Sequence, residues 1–366
     1  MATFSSKIIS YRELKDGSYK NAYIPQDDKF PVTSHLTTCL RDALIACPAN
    51  NDDAKAFMYV FVDDDKKEVG RVFLFGTHIR GKDVIYDAQS GLGLEVSEEY
   101  RGETVGAELM LYTSLNKEYD FTLAAGISQM ILPMYRKLKY HLFEVPQFFK
   151  VRKAKFEIKS LGLKSRLSRG WKNVVLRVKD VPNHIKYYSL KKKFVIIKET
   201  IVPEWVTEMV ANDGHQFMEV HDREWFQWNL DHNTYGYDED IQAFYSIFDR
   251  ENNPIGFYMT KERIIKKPGR NHGFIIGTVV EWESCDYDAL SEADINLLAM
   301  HSFSKRIDAI FTLACESGTV SQLKRIGFKE RASFKVGVKD KKKQIENIGD
   351  QNLWRLRYGM TNMIIL

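Results

Sequence analysis

The amino-acid sequence predicts an α/β protein of the α+β kind, in which mixed β-sheets are flanked by helices. Three observations support this prediction. The chain has 366 residues, more than one small core requires, so two domains are expected. Hydrophobic residues make up 44% of the chain, which is enough to bury two cores. Strand and helix patterns also alternate, and their order recurs in the second half.

The first half contains apolar runs rich in β-branched and aromatic residues, the pattern of strands. These runs are Ala56–Val62, Glu68–Thr77, Asp83–Tyr86 and Gly93–Val96. Gly102–Lys117 then has apolar residues at helical spacing, Phe121–Ala125 is a short buried strand, and Gln129–Tyr140 is a short helix. This order implies a mixed sheet with helices on both faces.

A similar order follows in the second half. Its predicted strands are Gln242–Phe248, Pro254–Met259, Gly273–Trp282 and Ala309–Ala314, and its predicted helices are Ser291–Lys305 and Gly318–Ile326. We therefore predict a tandem duplication with two mixed sheets. The predicted segments are an N-terminal domain at residues 1–149, a basic connector at 150–193 and a C-terminal domain at 194–366.

The connector carries a strong positive charge. From Lys150 to Lys193 there are fifteen Lys and Arg residues and only Glu157 and Asp180 as acids, a net charge of +13 in a chain whose total is +4. Such a run is typical of a solvated face or an exposed linker, and Asn173–Val178 is expected to form a strand within it. It also fits an anionic partner: a polyphosphate cofactor, an acidic carrier protein, nucleic acid or a membrane surface.

Secretion, membrane insertion and metal binding are not expected. Met1–Ser10 lacks the apolar core of a signal peptide, and no apolar run is long enough to span a membrane, so a cytoplasmic location is predicted. The four cysteines form no C-x-x-C pair, and only His35 lies near Cys39 as a second ligand. His215 and His221 have a spacing that suits no familiar ligand frame, so no metal site is predicted.

Leu94–Gly106 has the composition of an anion-binding turn. A strand ends in an acidic turn, and Arg101, Gly102 and Gly106 lead into an amphipathic helix. The first amides of a helix have no intrahelical partner, and the helix dipole favours negative charge beside them. Glycines let phosphate oxygens approach the backbone and an arginine adds charged donors, so the turn fits a diphosphate.

These residues resemble the pyrophosphate loop of the GNAT acyltransferases, which follows an antiparallel meander. Arg101, Gly102, Val105 and Gly106 are in register with the family pattern, whereas Thr104 replaces the first loop glycine. A dinucleotide fold would instead show G-x-G-x-x-G early in a βαβ unit. The resemblance implies that acetyl-CoA or another acyl-CoA is bound by Leu94, Val96, Arg101, Gly102, Glu103, Thr104, Val105, Gly106 and Gly126.

The resemblance continues to about Leu142 and implies a catalytic acid. The small residues of Leu123–Gly126 suit a strand against which the pantetheine arm of CoA lies. Tyr135 is in register with the family tyrosine that protonates the departing CoA thiolate, with Lys139 and Tyr140 where Gly-Phe is usual. The alternative is that Tyr135 only packs along its helix.

A base is needed to deprotonate an incoming amine, and Glu95 is the candidate. It lies between Leu94 and Val96, whose backbone groups the resemblance assigns to pantetheine, and a carboxylate on this strand can reach a substrate directly or through water. Glu98, Glu99 and Asp87 are alternatives. The first two are interpreted as ordinary turn residues.

The second half resembles a degenerate GNAT repeat. Between Trp282 and Leu297 the chain is acidic and lacks glycine, so phosphate would be repelled. The predicted helix Gly318–Ile326 is nevertheless followed by Gly327-Phe328, like the closing motif of the family, and Leu323 stands at the position of the family tyrosine. We expect this half to shape the acceptor site. The aromatic stretch Asp222–Tyr237, with Trp225, Phe226, Trp228, Tyr235 and Tyr237 around His232, is interpreted as core or as a platform for a sugar or amine.

The resemblance therefore predicts an acyl-CoA-dependent N-acyltransferase, most simply an N-acetyltransferase, that acts on an amine of a small molecule, a sugar or an amino-acid-like acceptor. Acyl carrier protein is an alternative donor, since it is acidic and the connector is basic. Two other interpretations stay open. One is a Fem-type peptidyltransferase that uses aminoacyl-tRNA, although nucleic acid is not the expected partner. The other is a non-catalytic module that binds CoA or an acyl group.

Overall fold

The structure is a computed structural model, and it describes residues 3–18, 38–62, 68–156, 163–232, 240–265 and 273–360. Nine α-helices lie in these ranges. They are α1 (Tyr11–Asp16), α2 (Thr38–Ala46), α3 (Val105–Leu115), α4 (Leu132–Lys137), α5 (Leu163–Lys193), α6 (Trp205–Ala211), α7 (Arg223–Asp231), α8 (Glu292–Ser302) and α9 (Ser317–Arg325). None of the described helices is both long enough and apolar enough to cross a membrane.

The described residues also form fourteen strands. They are β1 (Phe4–Ser10), β2 (Lys55–Val62), β3 (Glu68–Gly81), β4 (Val84–Val96), β5 (Phe121–Ala125), β6 (His141–Val151), β7 (Val195–Glu199), β8 (Phe217–Glu219), β9 (Ile241–Phe248), β10 (Pro254–Ile264), β11 (Ile275–Ser284), β12 (Ala309–Leu313), β13 (Lys329–Asp340) and β14 (Trp354–Arg355). The α/β class predicted from the sequence is confirmed.

All strands belong to one continuous sheet rather than the two that were predicted. Its order is β1, β2, β3, β4, β5, β13, β6, β12, β11, β10, β9, β7, and β8 pairs with β3 and β14. The two halves exchange one strand each. β13 of the second half inserts between β5 and β6 of the first half, and β6 of the first half lies between β13 and β12 of the second. Backbone hydrogen bonds thus cross between the halves, and the predicted boundary after residue 149 falls inside β6.

The exchange also fixes the direction of the two halves. β4 and β5 run parallel, as do β11 and β12. Three successive antiparallel pairings separate β5 from β12, so these two strands run in opposite directions. The corresponding strand ends of the two halves therefore open at opposite edges of the sheet.

One face of the sheet carries a core shared by both halves. Residues of α1 and α2 pack with residues of α6 and α7 against β3, β9 and β10. The indole Nε1 of Trp228 donates a hydrogen bond to the carbonyl oxygen of Ala43 at 2.9 Å, and its ring contacts Phe75. Trp225, Phe226 and Trp228 are buried, so the aromatic stretch of α7 is core. Tyr235 and Tyr237 lie outside the described residues.

Two local predictions were wrong. Asp83–Tyr86 and Gly93–Val96 belong to one strand, β4, since pairing with β3 continues through the polar stretch between them and a bulge absorbs its irregularity. Asn173–Val178 is helical and lies within α5. Its β-branched residues favour a strand locally, but α5 packs on α8, and this tertiary contact overrides the local propensity.

Candidate functional site

The candidate site lies where β4 and β5 diverge. The parallel pairing of these strands begins at Ala88 and Phe121 and ends at Gly91 and Ala124. β4 nevertheless continues to Val96. Its last residues pair with β3 only, so a gap opens on the other side of the strand. A ligand in such a gap has access to free backbone groups of β4.

A bulge in β4 marks the start of this gap. Arg71 of β3 pairs with Glu95, but Phe73 pairs with Leu92, so Gly93 and Leu94 together face one residue of β3. Gly93 has φ of +62°, the left-handed conformation that glycine adopts without steric cost. The bulge bends the end of β4 and thereby sets the direction of Leu94, Glu95 and Val96.

Helix α3 begins at the mouth of the gap. Its N-cap residue Thr104 accepts no side-chain hydrogen bond from the first turn, and residues Arg101 to Thr104 are exposed. Gly102 has φ of +120°, which requires glycine, and open space surrounds the position of its missing Cβ. The first amides of α3 therefore point outward without a capping side chain, as an anion site requires.

Two predicted residues line this helix start in different ways. The Nε of Arg101 donates to the carbonyl oxygen of Val96 at 3.2 Å, which holds the guanidinium beside the end of β4. Gly106 faces β4, since a Cβ there would lie 3.6 Å from Cγ2 of Val96. Leu94 and Val96 pack against Val105 below α3. Strand end, loop and helix start thus form one continuous surface.

Tyr135 lies on α4 beside the end of β5. Its ring packs in a small cluster with Ala124, Ile127 and Tyr140. Burial raises the pKa of Tyr135 to about 12, so the phenol stays protonated at physiological pH. No hydrogen bond to the Tyr135 hydroxyl is formed within the described part of the chain. Gly126, with φ of +67°, turns the chain from β5 towards this cluster.

The turn after α4 explains one departure from the family pattern. Lys139, which stands where the family has glycine, adopts φ of +61°. The amide of Tyr140 donates to the carbonyl oxygen of Tyr135 at 3.1 Å, the hydrogen bond that closes a left-handed helix terminus. The chain therefore forms the turn that glycine favours, with a lysine under steric strain.

Glu95 is held by Arg71, which also pairs with Glu68; the sequence analysis singled out neither of these two partners. Nη2 of Arg71 lies 2.6 Å from its carboxylate, and Nη1 of the same arginine lies 3.0 Å from Glu68. Arg71 is buried, and burial raises the pKa of Glu68 to about 7 despite the adjacent arginine. The side chain of Glu95 is 38% exposed, so solvent or a substrate can reach it. The sequence feature that could have indicated the role of Arg71 is an arginine inside an otherwise apolar strand.

The competing acids lie in more open positions. Glu98 and Glu99 are exposed in a single 3-10 turn that ends at Tyr100. Asp87 forms an exposed ion pair with His78 at 3.3 Å. Of these carboxylates, Glu95 is the one that lies on the diverging end of β4.

The corresponding gap in the second half is filled by protein. Pairing between β11 and β12 ends at Thr278 and Phe311, although β11 continues to Ser284. The guanidinium of Arg357 stacks 3.7 Å from the ring centroid of Trp282 and donates to the Trp282 carbonyl oxygen at 2.6 Å. The segment around Arg357 also packs against the end of β12.

The start of α8 is closed as well. Ser291 caps this helix by accepting a hydrogen bond from the amide of Asp294, and the Ala293 amide donates to the side chain of Gln322 at 2.9 Å. Arg357 donates to Glu292 at 3.0 Å. The helix start that is open in the first half therefore has its donors satisfied in the second.

The two halves nevertheless share a turn. Gly327 adopts φ of +94°, and the amide of Phe328 donates to the carbonyl oxygen of Leu323 at 3.1 Å. Gly327, Phe328 and Leu323 thus correspond to Lys139, Tyr140 and Tyr135 of the first half. The element order from β9 to β13 likewise repeats that from β2 to β6.

His215 and His221 take part in a buried ionic network. His221 lies 2.9 Å from Glu281 and 3.4 Å from Glu219, and its ring stacks on Trp225. His215 pairs with Asp213 at 2.8 Å. Arg355, which is fully buried, binds Asp213, Glu281 and Glu283. Among the described residues there is no group of three or more side chains arranged to hold a metal ion, and His35 lies outside them.

Comparisons with known proteins identify the fold. No protein-family model and no curated protein matches the sequence. Among solved structures, a GCN5-related N-acetyltransferase from Anabaena variabilis matches with a TM-score of 0.52 at 11% identity, over 92% of this chain and 73% of that one. The chain has the GNAT fold.

Two further structures with the GNAT fold match over nearly the same length. N-myristoyltransferase of Saccharomyces cerevisiae, crystallised with bound myristoyl-CoA, has a TM-score of 0.58 at 11% identity over 93% of this chain and 83% of that one. A probable N-acyltransferase from Enterococcus faecalis has a TM-score of 0.53 at 13% identity, over 93% and 73% of the two chains. These structures share only 11% to 13% identity with the chain, so they show the fold alone. They confirm the GNAT resemblance proposed from the sequence at the level of the fold.

Proposed function

We propose that this protein is an acyl-CoA-dependent N-acyltransferase whose active site lies in the first half. The observation that carries the proposal is the gap between β4 and β5, which opens after Gly91 and Ala124 directly below an uncapped helix start. A thin, extended ligand with a diphosphate at one end fits this arrangement. Acyl-CoA has that shape and charge.

The diphosphate would lie against the loop formed by Arg101, Gly102, Glu103, Thr104, Val105 and Gly106. The amides of the first turn of α3 would donate to its oxygens, and the helix dipole would add to the attraction. The Thr104 hydroxyl is not engaged in capping, so it can donate as well. The pantetheine arm would run along the free edge of Leu94 and Val96 towards Gly126.

The chemistry follows from the groups at the two sides of the gap. An amine attacks the thioester carbonyl, and the resulting intermediate expels the CoA thiolate. Tyr135, whose pKa is raised by burial, would donate a proton to that thiolate. Glu95, held in place by Arg71, would accept the proton of the amine directly or through water. Because the strands are unpaired here, a ligand between them can contact both faces of the sheet.

The acceptor is proposed to be an amine of a small molecule, a sugar or an amino-acid-like compound. It would approach on the face where Arg71 and Glu95 lie, which is also the face of the core shared by both halves. The second half would then form one wall of the acceptor site, in line with the proposed tandem duplication and the segments 1–149, 150–193 and 194–366. A cytoplasmic location and use of acyl carrier protein remain predictions.

Calorimetry with CoA, acetyl-CoA and myristoyl-CoA tests the proposal. Binding of at least one of them with a stoichiometry of one site is expected, and comparing the thioesters gives the acyl length. A charge reversal at the loop, Arg101→Glu, should weaken all three ligands. The matched control is Arg12→Glu, since Arg12 is exposed on α1 and pairs with the exposed Asp53. No binding of any of the three at millimolar concentration would reject the proposal.

The alternatives give different results in the same assays. A Fem-type enzyme would bind aminoacyl-tRNA with a steep salt dependence and would not bind CoA. A non-catalytic module would bind CoA but transfer no acyl group to any amine tested. The open helix start in the first half favours the CoA-dependent enzyme over both.

A further inference from the structure

Helix α5 carries an apolar stripe along its outer side that is exposed among the described residues. Its residues are between 48% and 73% exposed. They are Leu167, Trp171, Val174, Val178, Val181, Ile185 and Tyr188. The intervals between them alternate between four and three residues, so they line one side of the helix. Seven exposed apolar side chains in one row are far more than scattered surface residues explain.

The opposite side of α5 is fixed to the protein body. Asp180 pairs with Lys150 at 2.6 Å, and the Asn183 side chain donates to the carbonyl oxygen of Ile326 at 3.0 Å. Leu190 is buried in the core beneath α8. The amide of Ala154 donates to Asn173 at 2.8 Å. Polar contacts and the buried Leu190 therefore hold this side of the helix on the protein body, and the exposed apolar stripe lies on the other side.

Basic residues border the stripe on both flanks. Lys186 and His184 adjoin stripe residues, but they contact α8, through Asp294 at 2.5 Å and His301 at 3.1 Å. Lys172 and Lys179 immediately follow stripe residues, whereas Arg177 immediately precedes one. Since consecutive residues are about 100° apart around a helix, these side chains lie on the two sides of the stripe. The helix has ten Lys and Arg residues and one acid, Asp180, which is turned towards Lys150. Any partner of this surface must be both apolar and anionic.

We propose that α5 lies along an anionic lipid surface, with the apolar stripe at the boundary between head groups and acyl chains. An amphipathic helix with lysine and arginine flanks binds a bilayer in this way, since the long side chains reach the phosphates while the apolar row is buried. Trp171 and Tyr188 are the residue types that favour this boundary. Helix α5 is not apolar enough to cross a membrane, so it would lie along the surface. This inference does not depend on the proposed enzymatic function.

A protein partner explains the surface less well. In a pair of α5 helices from two copies, the basic flanks would face each other, and no acid on the exposed side would balance them. Pro182 and Gly170 also interrupt the exposed side, which breaks the regular ridge that helix packing needs. A fluid lipid surface does not require such a ridge.

Vesicle flotation with the full chain tests the proposal. At an ionic strength of about 0.1 M, we expect binding to phosphatidylcholine vesicles with about 30% phosphatidylserine to exceed binding to pure phosphatidylcholine about tenfold or more. The double variant Val178→Ser, Ile185→Ser keeps the charge and should lose about tenfold of that binding. The matched control is Val84→Ser, Ile85→Ser, because Ile85 is 61% exposed and Ile185 is 68% exposed. The control should bind like the wild type.

Fluorescence of Trp171 gives an independent measurement. Trp171 is the tryptophan on the stripe, and brominated lipids should quench its emission on binding. Trp171→Phe should keep binding and lose that quenching. Equal binding of both double variants, or equal binding to neutral and anionic vesicles, would overturn the proposal. The proposal would also be overturned if the wild type did not bind vesicles but formed a dimer in solution, and if the Val178→Ser, Ile185→Ser variant were a monomer.

Discussion

Tyr135 and Tyr140 pack edge to face with their ring centroids 4.8 Å apart, and they differ in what their hydroxyls contact. The Tyr140 hydroxyl is buried and lies 2.9 Å from Oγ of Ser114. The Tyr135 hydroxyl forms no such bond within the described ranges. A tyrosine without a structural hydrogen bond beside the β5 end is suited to donate a proton to a ligand.

Tyr135→Phe should therefore lower kcat by about 100-fold or more, the usual contribution of general acid catalysis, and change acyl-CoA affinity little. Steady-state kinetics with the acyl-CoA identified by calorimetry provides the measurement. Tyr140→Phe is the matched control, and it should lower the free energy of unfolding by about 1 kcal/mol with kcat retained. A Tyr135→Phe enzyme with unchanged kcat would remove Tyr135 from the mechanism.

Glu95→Gln should reduce kcat/KM about tenfold or more, because an amide cannot accept the proton of the amine. The fold should tolerate the change, since Glu95 is partly exposed and Arg71 keeps its ion pair with Glu68. Asp87→Asn, at an exposed acid on the same strand, is the control and should leave kcat/KM unchanged. The reverse pattern would assign the base to Asp87.

Replacing the strained lysine of the first turn should stabilise the protein. Lys139→Gly removes the steric strain of a non-glycine residue in the left-handed conformation. The free energy of unfolding should rise by about 0.5 to 1 kcal/mol, after subtraction of the extra conformational entropy that glycine gives the unfolded chain. Gly327→Ala, at the equivalent turn of the second half, should lower it by about 1 kcal/mol. Denaturant titration measures both. A shift of both variants in the same direction would mean that Lys139 is not strained.

The environment of His221 predicts a stability that depends on pH. Glu219 and Glu281 raise its pKa from 6.5 to about 9, although burial acts in the opposite direction. Because the folded pKa is above the unfolded one, this contribution is fully present below about pH 6.5 and is lost as the pH rises through about 9. It amounts to at most about 3 kcal/mol. His215 has a pKa shifted in the same direction.

Lys261 and Lys341, whose pKa values burial lowers to about 8, act in the opposite direction above about pH 8. His221→Gln should therefore lower stability at neutral pH, and its Tm should fall less, or rise more, than that of the wild type between pH 6 and pH 10. The slope is the readout, because any buried substitution changes the absolute Tm. An unchanged slope in the variant would mean that His221 does not titrate in this range.

Much of the candidate site was predictable because it depends on local sequence. The glycine-containing turn before α3, the short strand Phe121–Ala125 and the position of Tyr135 follow from residue spacing and from the family resemblance. Arg71 and Glu68 were missed because their role comes from β3 lying beside β4, and pairing between strands is not encoded in either strand alone. The fused sheet was missed for the same reason.

The α/β class, the repeated order of elements and the glycine-containing turn before α3 could be predicted from the sequence, because these depend on hydrophobic periodicity and on backbone preferences over a few residues. Only the tertiary structure decided that β6 and β13 are exchanged between the halves and that Arg357 fills the second gap. It also turned the apolar side of α5 outward. These features arise from contacts between residues far apart in the chain, where packing and burial outweigh local preference.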